Sequence, residues 1–250
     1  MPPRDILLAL VVVIAWGSNF TAMRLALDEL PPLLFVGLRF AILLPLLLVL
    51  PRPAGWWPII AIGCFINMGQ FGFLFSAMEA DVTAGLASLL LQSQAPITIV
   101  LAAIFYRERV SAVQVAGITL AVIGLAVIGS ASGGNVTLAG LGLVLCGALS
   151  WACGNLVLRR SPGVDMMALF VWASLVPPLP MLAAAFAFET PDPFGVIAAL
   201  SLQGWLSVAY VAGISTLLGF SIWGALLSRH PAALVTPFAL LIPVVGLSVA

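Results

Sequence analysis

Nine apolar runs, separated by short polar or Pro/Gly connectors, restrict this chain more than any other feature. They lie at 6–27, 33–50, 58–78, 84–106, 112–129, 138–158, 166–188, 200–227 and 232–250. A hydrocarbon core about 30 Å thick asks for about 20 apolar residues per crossing helix, and every run is long enough. Backbone groups find no water in lipid, so helices that satisfy their own hydrogen bonds are the economical way across, and the expected class is an all-α integral membrane protein. Only 7% of the 250 residues are charged, against roughly 25% in soluble domains. That excludes a soluble enzyme and leaves no room for a second, water-exposed domain. The first run continues past Trp16 and Asn19 with no small-residue cleavage site, so it reads as a retained helix rather than a signal peptide.

The charges are nine Arg, no Lys and nine acids, a balance that offers no basic patch for nucleic acid. Arg4, Arg52, Arg107, Arg109, Arg159, Arg160 and Arg229 flank the N-terminus and the even-numbered connectors. Asp28, Glu29, Glu79, Asp81, Glu189 and Asp192 flank the odd-numbered ones. Since Arg gathers on the cytoplasmic side, the N-terminus is expected inside. Cys64, Cys146 and Cys153 sit within apolar runs without a CxxC pair or flanking His, and read as small hydrophobes; no cofactor or metal is expected.

Shifting the sequence by 135 residues superposes Trp16 on Trp151, Arg24 on Arg159, Phe35 on Phe170 and Pro45 on Pro180. A shift of 147 superposes Gly72 on Gly219, Phe73 on Phe220 and Pro96 on Pro243. The chain therefore reads as two repeats, 1–130 and 131–250. Five spans per repeat, an odd number, turn the second repeat upside down relative to the first. Arg24 at the outer end of span one and Arg159 at the inner end of span six agree with that inversion. Inverted repeats characterise secondary transporters, with the substrate near the midplane between halves that rock against each other. The shift also leaves Phe105 to Gly129 without counterparts, so the natural chain is expected to continue past Ala250 with the rest of span nine and a tenth span.

Stretches AWGSNF (15–20), PPLLFVGLRF (31–40), GLASLLLQSQAPITI (85–99), FYRERV (105–110), SWACGNL (150–156) and FSIWGALLSRH to PVVGLSVA (220–250) resemble the EamA family of the drug/metabolite transporter superfamily. The likeness runs in order over the whole chain and is strongest to the branch that exports O-acetylserine and cysteine. It implies two inverted five-helix repeats, ten helices of which about nine are present, a bacterial inner-membrane location and export of small metabolites.

Polar groups within spans are costly and need a partner or a watery cavity. Trp16, Asn19 and Met23 share one face of span one, and Trp151 and Asn155 repeat the pattern on span six. They are read as two walls of one central cavity, against the alternative that they tie neighbouring helices together. Asn67 and Gln70 share a face of span three. On span four Gln92 and Gln94 point to different sides, so one of them at most faces the cavity unless Pro96 loosens the turn before it. Substrate contact and interhelical bonding stand level for either. Pro45, Pro96, Pro180 and Pro243 are candidate kinks for gating. Arg39 lies about 10 Å inside span two. It must snorkel outward, pair with the Asp28/Glu29 or Glu79/Asp81 loops, or bind an anion such as a substrate carboxylate. Arg24 is expected to pair with Asp28 four residues on. All nine acids lie near span ends, so no mid-membrane carboxylate is on hand to carry a proton, in contrast to the small multidrug exporters.

The leading expectation is an exporter of cysteine, O-acetylserine or similar metabolites working by alternating access, as monomer or homodimer. Trp16, Trp151 and Trp223 would line its cavity. Asn19, Asn155, Gln70 and Gln94 would hold the ammonium and side-chain oxygens, and Arg39 the carboxylate. The alternative is a broader exporter of aromatic amino acids or amphipathic metabolites and drugs. An intramembrane enzyme fares badly: with one His and no GxSxG or HExxH, the chain offers neither an activated nucleophile nor a metal site.

Overall fold

The computed structural model describes residues 1–80, 82–131 and 137–249. Asp81, weighed above as a partner of Arg39, and residues 132–136, between the fifth and sixth apolar runs, lie outside the described residues. Within them every element is helical. Six helices are long and apolar enough to cross a membrane: Pro3–Leu27, Trp56–Ala80, Gly85–Tyr106, Leu138–Arg159, Met166–Phe188 and Leu202–Arg229. Shorter apolar helices at Pro32–Leu48, Ala112–Gly124 and Ala232–Gly246 fall on the remaining runs. These nine are called spans one to nine below.

Local chemistry sets where the spans begin. Pro sits in the first turn of spans one and two, where its missing N–H costs nothing. The side chains of Thr137, Asp165 and Ser201 accept from the N–H groups of Gly140, Ala168 and Gly204 at 3.0, 3.2 and 3.1 Å, capping spans six, seven and eight. The spans are not the unbroken helices that the apolar runs alone suggest. Pro45 lies in a 3₁₀ segment (Leu44–Leu48), Pro96 just past one (Leu91–Ser93), and Pro243 just past another (Thr236–Leu241). Pro180 lies in the helix Pro178–Phe188 that resumes span seven after its first helix stops at Ala173. A proline removes one i→i−4 bond and crowds the preceding turn, so the helix tightens or breaks there. Spans three and eight carry π-helical segments instead, Gly63–Gln70 and Val211–Gly219. These fall at nearly the offset found in the sequence.

Spans exchange neighbours in a regular way. Span one packs on spans eight and nine, span six on spans three and four, and spans two and seven on each other. Small residues permit the close crossings. A Cβ on Gly17 would lie 2.5 Å from Val245 Cβ of span nine, and one on Gly63 would lie 2.9 Å from the Ala173 carbonyl oxygen of span seven.

Two carboxylates tie the halves together at the acidic end. Glu29, after span one, accepts from Ser201 N at 2.8 Å and Ser201 Oγ at 2.6 Å at the start of span eight. Glu189, after span seven, accepts from Leu33 N at 2.7 Å and Leu34 N at 3.1 Å in the first turn of span two. The Ser201 donors hold the Glu29 carboxyl below its ordinary value. Burial, with the Glu79 charge adding to it, pushes that of Glu189 up against the opposing pull of the two N–H groups. At the arginine-rich end His230 Nε2 meets Asp5 Oδ2 at 2.7 Å and Arg159 Nε meets Glu108 Oε1 at 3.3 Å. The expected Arg24–Asp28 pair does not form. Arg24 is exposed, and the entropy of fixing two long side chains outweighs the small gain of a hydrated pair.

Candidate functional site

A narrow cavity opens at the centre of the bundle, lined by Trp16, Asn19, Met23, Gln70, Phe71, Leu74, Leu91, Gln92, Trp151, Ser215, Phe220 and Ile242. Spans one, three, four, six, eight and nine all contribute. About 40 Å³ of it is open to the centre of a water molecule, room for about three waters at 10–15 Å³ each.

The indoles of Trp16 and Trp151, superposed by the first sequence shift, meet edge to face with centroids 5.3 Å apart. Trp16 also touches Phe220 at 4.8 Å and Trp223 at 5.2 Å, building one aromatic wall. Its Nε1 donates to the Ser215 carbonyl at 2.9 Å, a firm anchor across the halves. Asn19 Nδ2 approaches Met23 Sδ at 2.8 Å, and both line the cavity with Trp16, so this face of span one turns inward.

Of the residues singled out from sequence, Trp16, Asn19, Gln70 and Trp151 line the cavity and Asn155, Gln94, Trp223 and Arg39 do not. Asn155 is fully buried behind the wall. Its Nδ2 donates to Gln94 Oε1 at 3.0 Å and Thr98 Oγ1 at 3.2 Å, and its Oδ1 accepts from Trp223 Nε1 at 3.0 Å. These bonds satisfy the Asn155 carboxamide and the Trp223 indole and join spans four, six and eight, while Gln94 Nε2 stays buried without a partner. On span four Gln92, not Gln94, reaches the cavity. The 3₁₀ turn Leu91–Ser93 turns each residue further round the axis than an α-helix does and so settles which amide faces inward.

The snorkelling alternative for Arg39 falls away, and so does pairing with Asp28, Glu29 or Glu79. Arg39 is fully buried, and no carboxylate pairs with it among the described residues. Nη2 donates to Thr216 Oγ1 at 2.5 Å, the guanidinium carbon stands 3.9 Å from the Phe71 ring centroid and 5.0 Å from that of Phe40, and Nε and Nη1 lack partners. The prolines stand off the cavity wall, at or beside the breaks described above. Sequence reasoning passed over Phe71, Leu74, Leu91, Ser215, Phe220 and Ile242. Nothing in their residue types distinguishes them from ordinary core.

Four polar atoms of cavity-lining residues are buried without partners: Asn19 Oδ1, Gln70 Oε1, Gln92 Oε1 and Trp151 Nε1. Buried polar groups are almost always paired. Three acceptors and a donor around one small space are therefore a ready-made set of contacts for a polar solute.

Comparison with known proteins places this architecture. Residues 4–130 match the EamA-like transporter family. The chain is 41% identical over 257 aligned residues to the "Probable amino-acid metabolite efflux pump" of Salmonella typhimurium, covering 99% of this chain and 86% of that protein. It is 38% identical, with the same coverage, to the Escherichia coli protein of the same name. A crystal structure at 19% identity superposes with a TM-score of 0.76 over 100% of this chain and 90% of its own, which speaks for the fold alone. This multi-pass membrane protein belongs to the EamA-like transporter family.

Proposed function

We propose that the protein exports small zwitterionic amino-acid metabolites, cysteine and O-acetylserine among them, from the bacterial cytoplasm by alternating access, with its N-terminus inside. The observation that carries this is the set of unpartnered polar atoms in the central cavity. An alkylammonium brings three donors and no acceptor, and the carboxamide oxygens of Asn19, Gln70 and Gln92 offer three acceptors. Trp151 Nε1–H is a donor for an ester, hydroxyl or carboxylate oxygen. An apolar amine lacking the second charge would leave that donor unpaired. The efflux-pump names of the two relatives support the same substrate class.

The 1–130 and 131–250 repeats supply the machine. The exchange of neighbours between spans one and six, two and seven, and three and eight supports two similar units that rock about the cavity between them. Arginines at one end and acids at the other support the orientation. Prolines 45, 96, 180 and 243 sit where spans are broken, and we assign them the bending that rocking requires.

The aromatic wall favours a second reading, export of aromatic or amphipathic solutes. Purified protein in liposomes, preloaded with unlabelled cysteine or O-acetylserine, is expected to accumulate the labelled compound by exchange. Gln92→Ala and Asn19→Ala should weaken that exchange. No movement of either compound would refute the assignment, and preference for tryptophan over both would select the second reading.

A further inference from the structure

Among the described residues Arg39 is a charge without a counter-charge. A cation buried this completely is tolerated only where it is paired or otherwise compensated. Thr216 Oγ1 satisfies one of its N–H groups, and the ring faces of Phe71 and Phe40 stand in for an anion. Nε and Nη1 remain without partners, and each flanks Nη2, so release of Nη2 from Thr216 would complete a two-pronged grip on a carboxylate.

Of Thr216, Phe71 and Phe40, the three groups seen against the guanidinium, Phe71 alone borders the central cavity. It lines the central cavity and also stands 3.9 Å from the guanidinium, whereas Arg39 itself lines no part of the cavity. The ring therefore stands between the positive charge and the space beside Gln70 and Asn19. Phe71 is also the first residue beyond the π-helical segment Gly63–Gln70. A π segment holds one residue more per turn than an α-helix and is commonly found at functional sites. Moving that extra residue along the helix turns the side chains next to it without breaking the span. The hydrogen-bond partner of Arg39, Thr216, lies within the second π segment, where its hydroxyl donates to the Val211 carbonyl five residues back at 2.8 Å. Phe220, first beyond that segment, meets Phe71 at 6.3 Å with planes at 89°. The guanidinium is thus held between the two π segments, one from each half.

We propose that Phe71 is a shutter over Arg39: its ring closes the guanidinium off from the cavity, and its withdrawal lets Arg39 take the substrate's carboxylate through N–H groups that lack partners in the closed arrangement. This rests on the amino-acid reading above and adds the source of selectivity for the carboxylate, with Phe71 a specificity-determining residue and Arg39 the anion subsite. A solute lacking a carboxylate has nothing to offer in exchange for the ring and leaves the shutter closed.

The test uses the purified protein, Phe71→Leu, Arg39→Gln and, as control, Phe40→Leu, which removes the other ring without opening a path to the cavity. Reaction of Arg39 with the arginine reagent phenylglyoxal is followed by mass spectrometry of the peptide that bears it. Binding of O-acetylserine and of its methyl ester is followed by calorimetry. Phe71→Leu is expected to speed modification of Arg39 and to tighten O-acetylserine binding on the order of tenfold, the factor removed by a shutter closed about nine-tenths of the time. The methyl ester should bind wild type and variant alike, and Arg39→Gln should abolish the preference for the free acid. Equal modification rates in wild type and Phe71→Leu, or equal acceleration by Phe71→Leu and Phe40→Leu, would overturn the shutter. Amino-acid binding indifferent to both Phe71→Leu and Arg39→Gln would keep the export reading and overturn the shutter. Exposure of Arg39 by Phe71→Leu alone, with no amino acid bound by either protein, would keep the shutter and refute the export reading.

Discussion

Replacing Asn155 by leucine should unfold the bundle more readily than it weakens substrate binding. The leucine keeps most of the volume but loses three hydrogen bonds, to Gln94, Thr98 and Trp223. Interhelical hydrogen bonds within membranes average about 0.6 kcal/mol each, which sets a floor near ~2 kcal/mol. Trp223 Nε1 and Gln94 Oε1 are then left buried without partners, and each such group costs about 1–3 kcal/mol. Two such groups together with the lost bond to Thr98 put the expected loss at about 3–7 kcal/mol. Trp223→Phe removes only one of the three bonds and should cost ~1 kcal/mol, with the double variant falling short of the two effects added because they share that bond. Reversible unfolding by dodecyl sulfate in mixed micelles, followed by circular dichroism, gives these differences. O-acetylserine binding at low denaturant reports on the cavity separately. A loss under ~1 kcal/mol together with abolished binding would refute the assignment, because Asn155 would then belong to the substrate site rather than to the frame behind it.

Other outcomes follow from the same geometry. Glu29→Gln should lower thermal stability at neutral pH. The wild-type carboxyl is held below its ordinary 4.5, so its contribution is present above that value and fades as pH falls through the lowered one, where unfolding curves of wild type and variant should converge. Glu189→Ala strips the cap from Leu33 and Leu34 N–H and should cost about 1 kcal/mol; Glu189→Gln, which keeps an acceptor and removes a charge that burial disfavours, should cost less in the same unfolding assay. Gly17→Val drives a side chain into Val245 and the adjoining backbone of span nine and should cost about 1–3 kcal/mol by overpacking, with unchanged stability refuting the close crossing. Trp16→Phe frees the Ser215 carbonyl and should cost about 1–3 kcal/mol, read by unfolding followed with circular dichroism.

The sequence determined the membrane class, the positions of the spans and the inward face of span one. The cost of unpaired backbone in lipid leaves a helix-length apolar run little choice, and Trp16, Asn19 and Met23 stay on one face wherever the helix is packed. Span six shows the limit of that logic: Trp151 came to the cavity while Asn155, one turn on, turned to Gln94 and Trp223. A spacing places residues on a face; it does not say how far round a crossing helix turns that face. Only the tertiary structure decided that Gln92 rather than Gln94 points inward, because the 3₁₀ turn before Pro96 resets the angle. It alone put Phe71 between Arg39 and the cavity, through a π segment for which residue types carry no signal. Burial of Arg39 away from every described carboxylate was likewise a product of packing. A chain can reveal that a charge lies within the membrane, but which groups meet it depends on contacts between spans far apart in sequence.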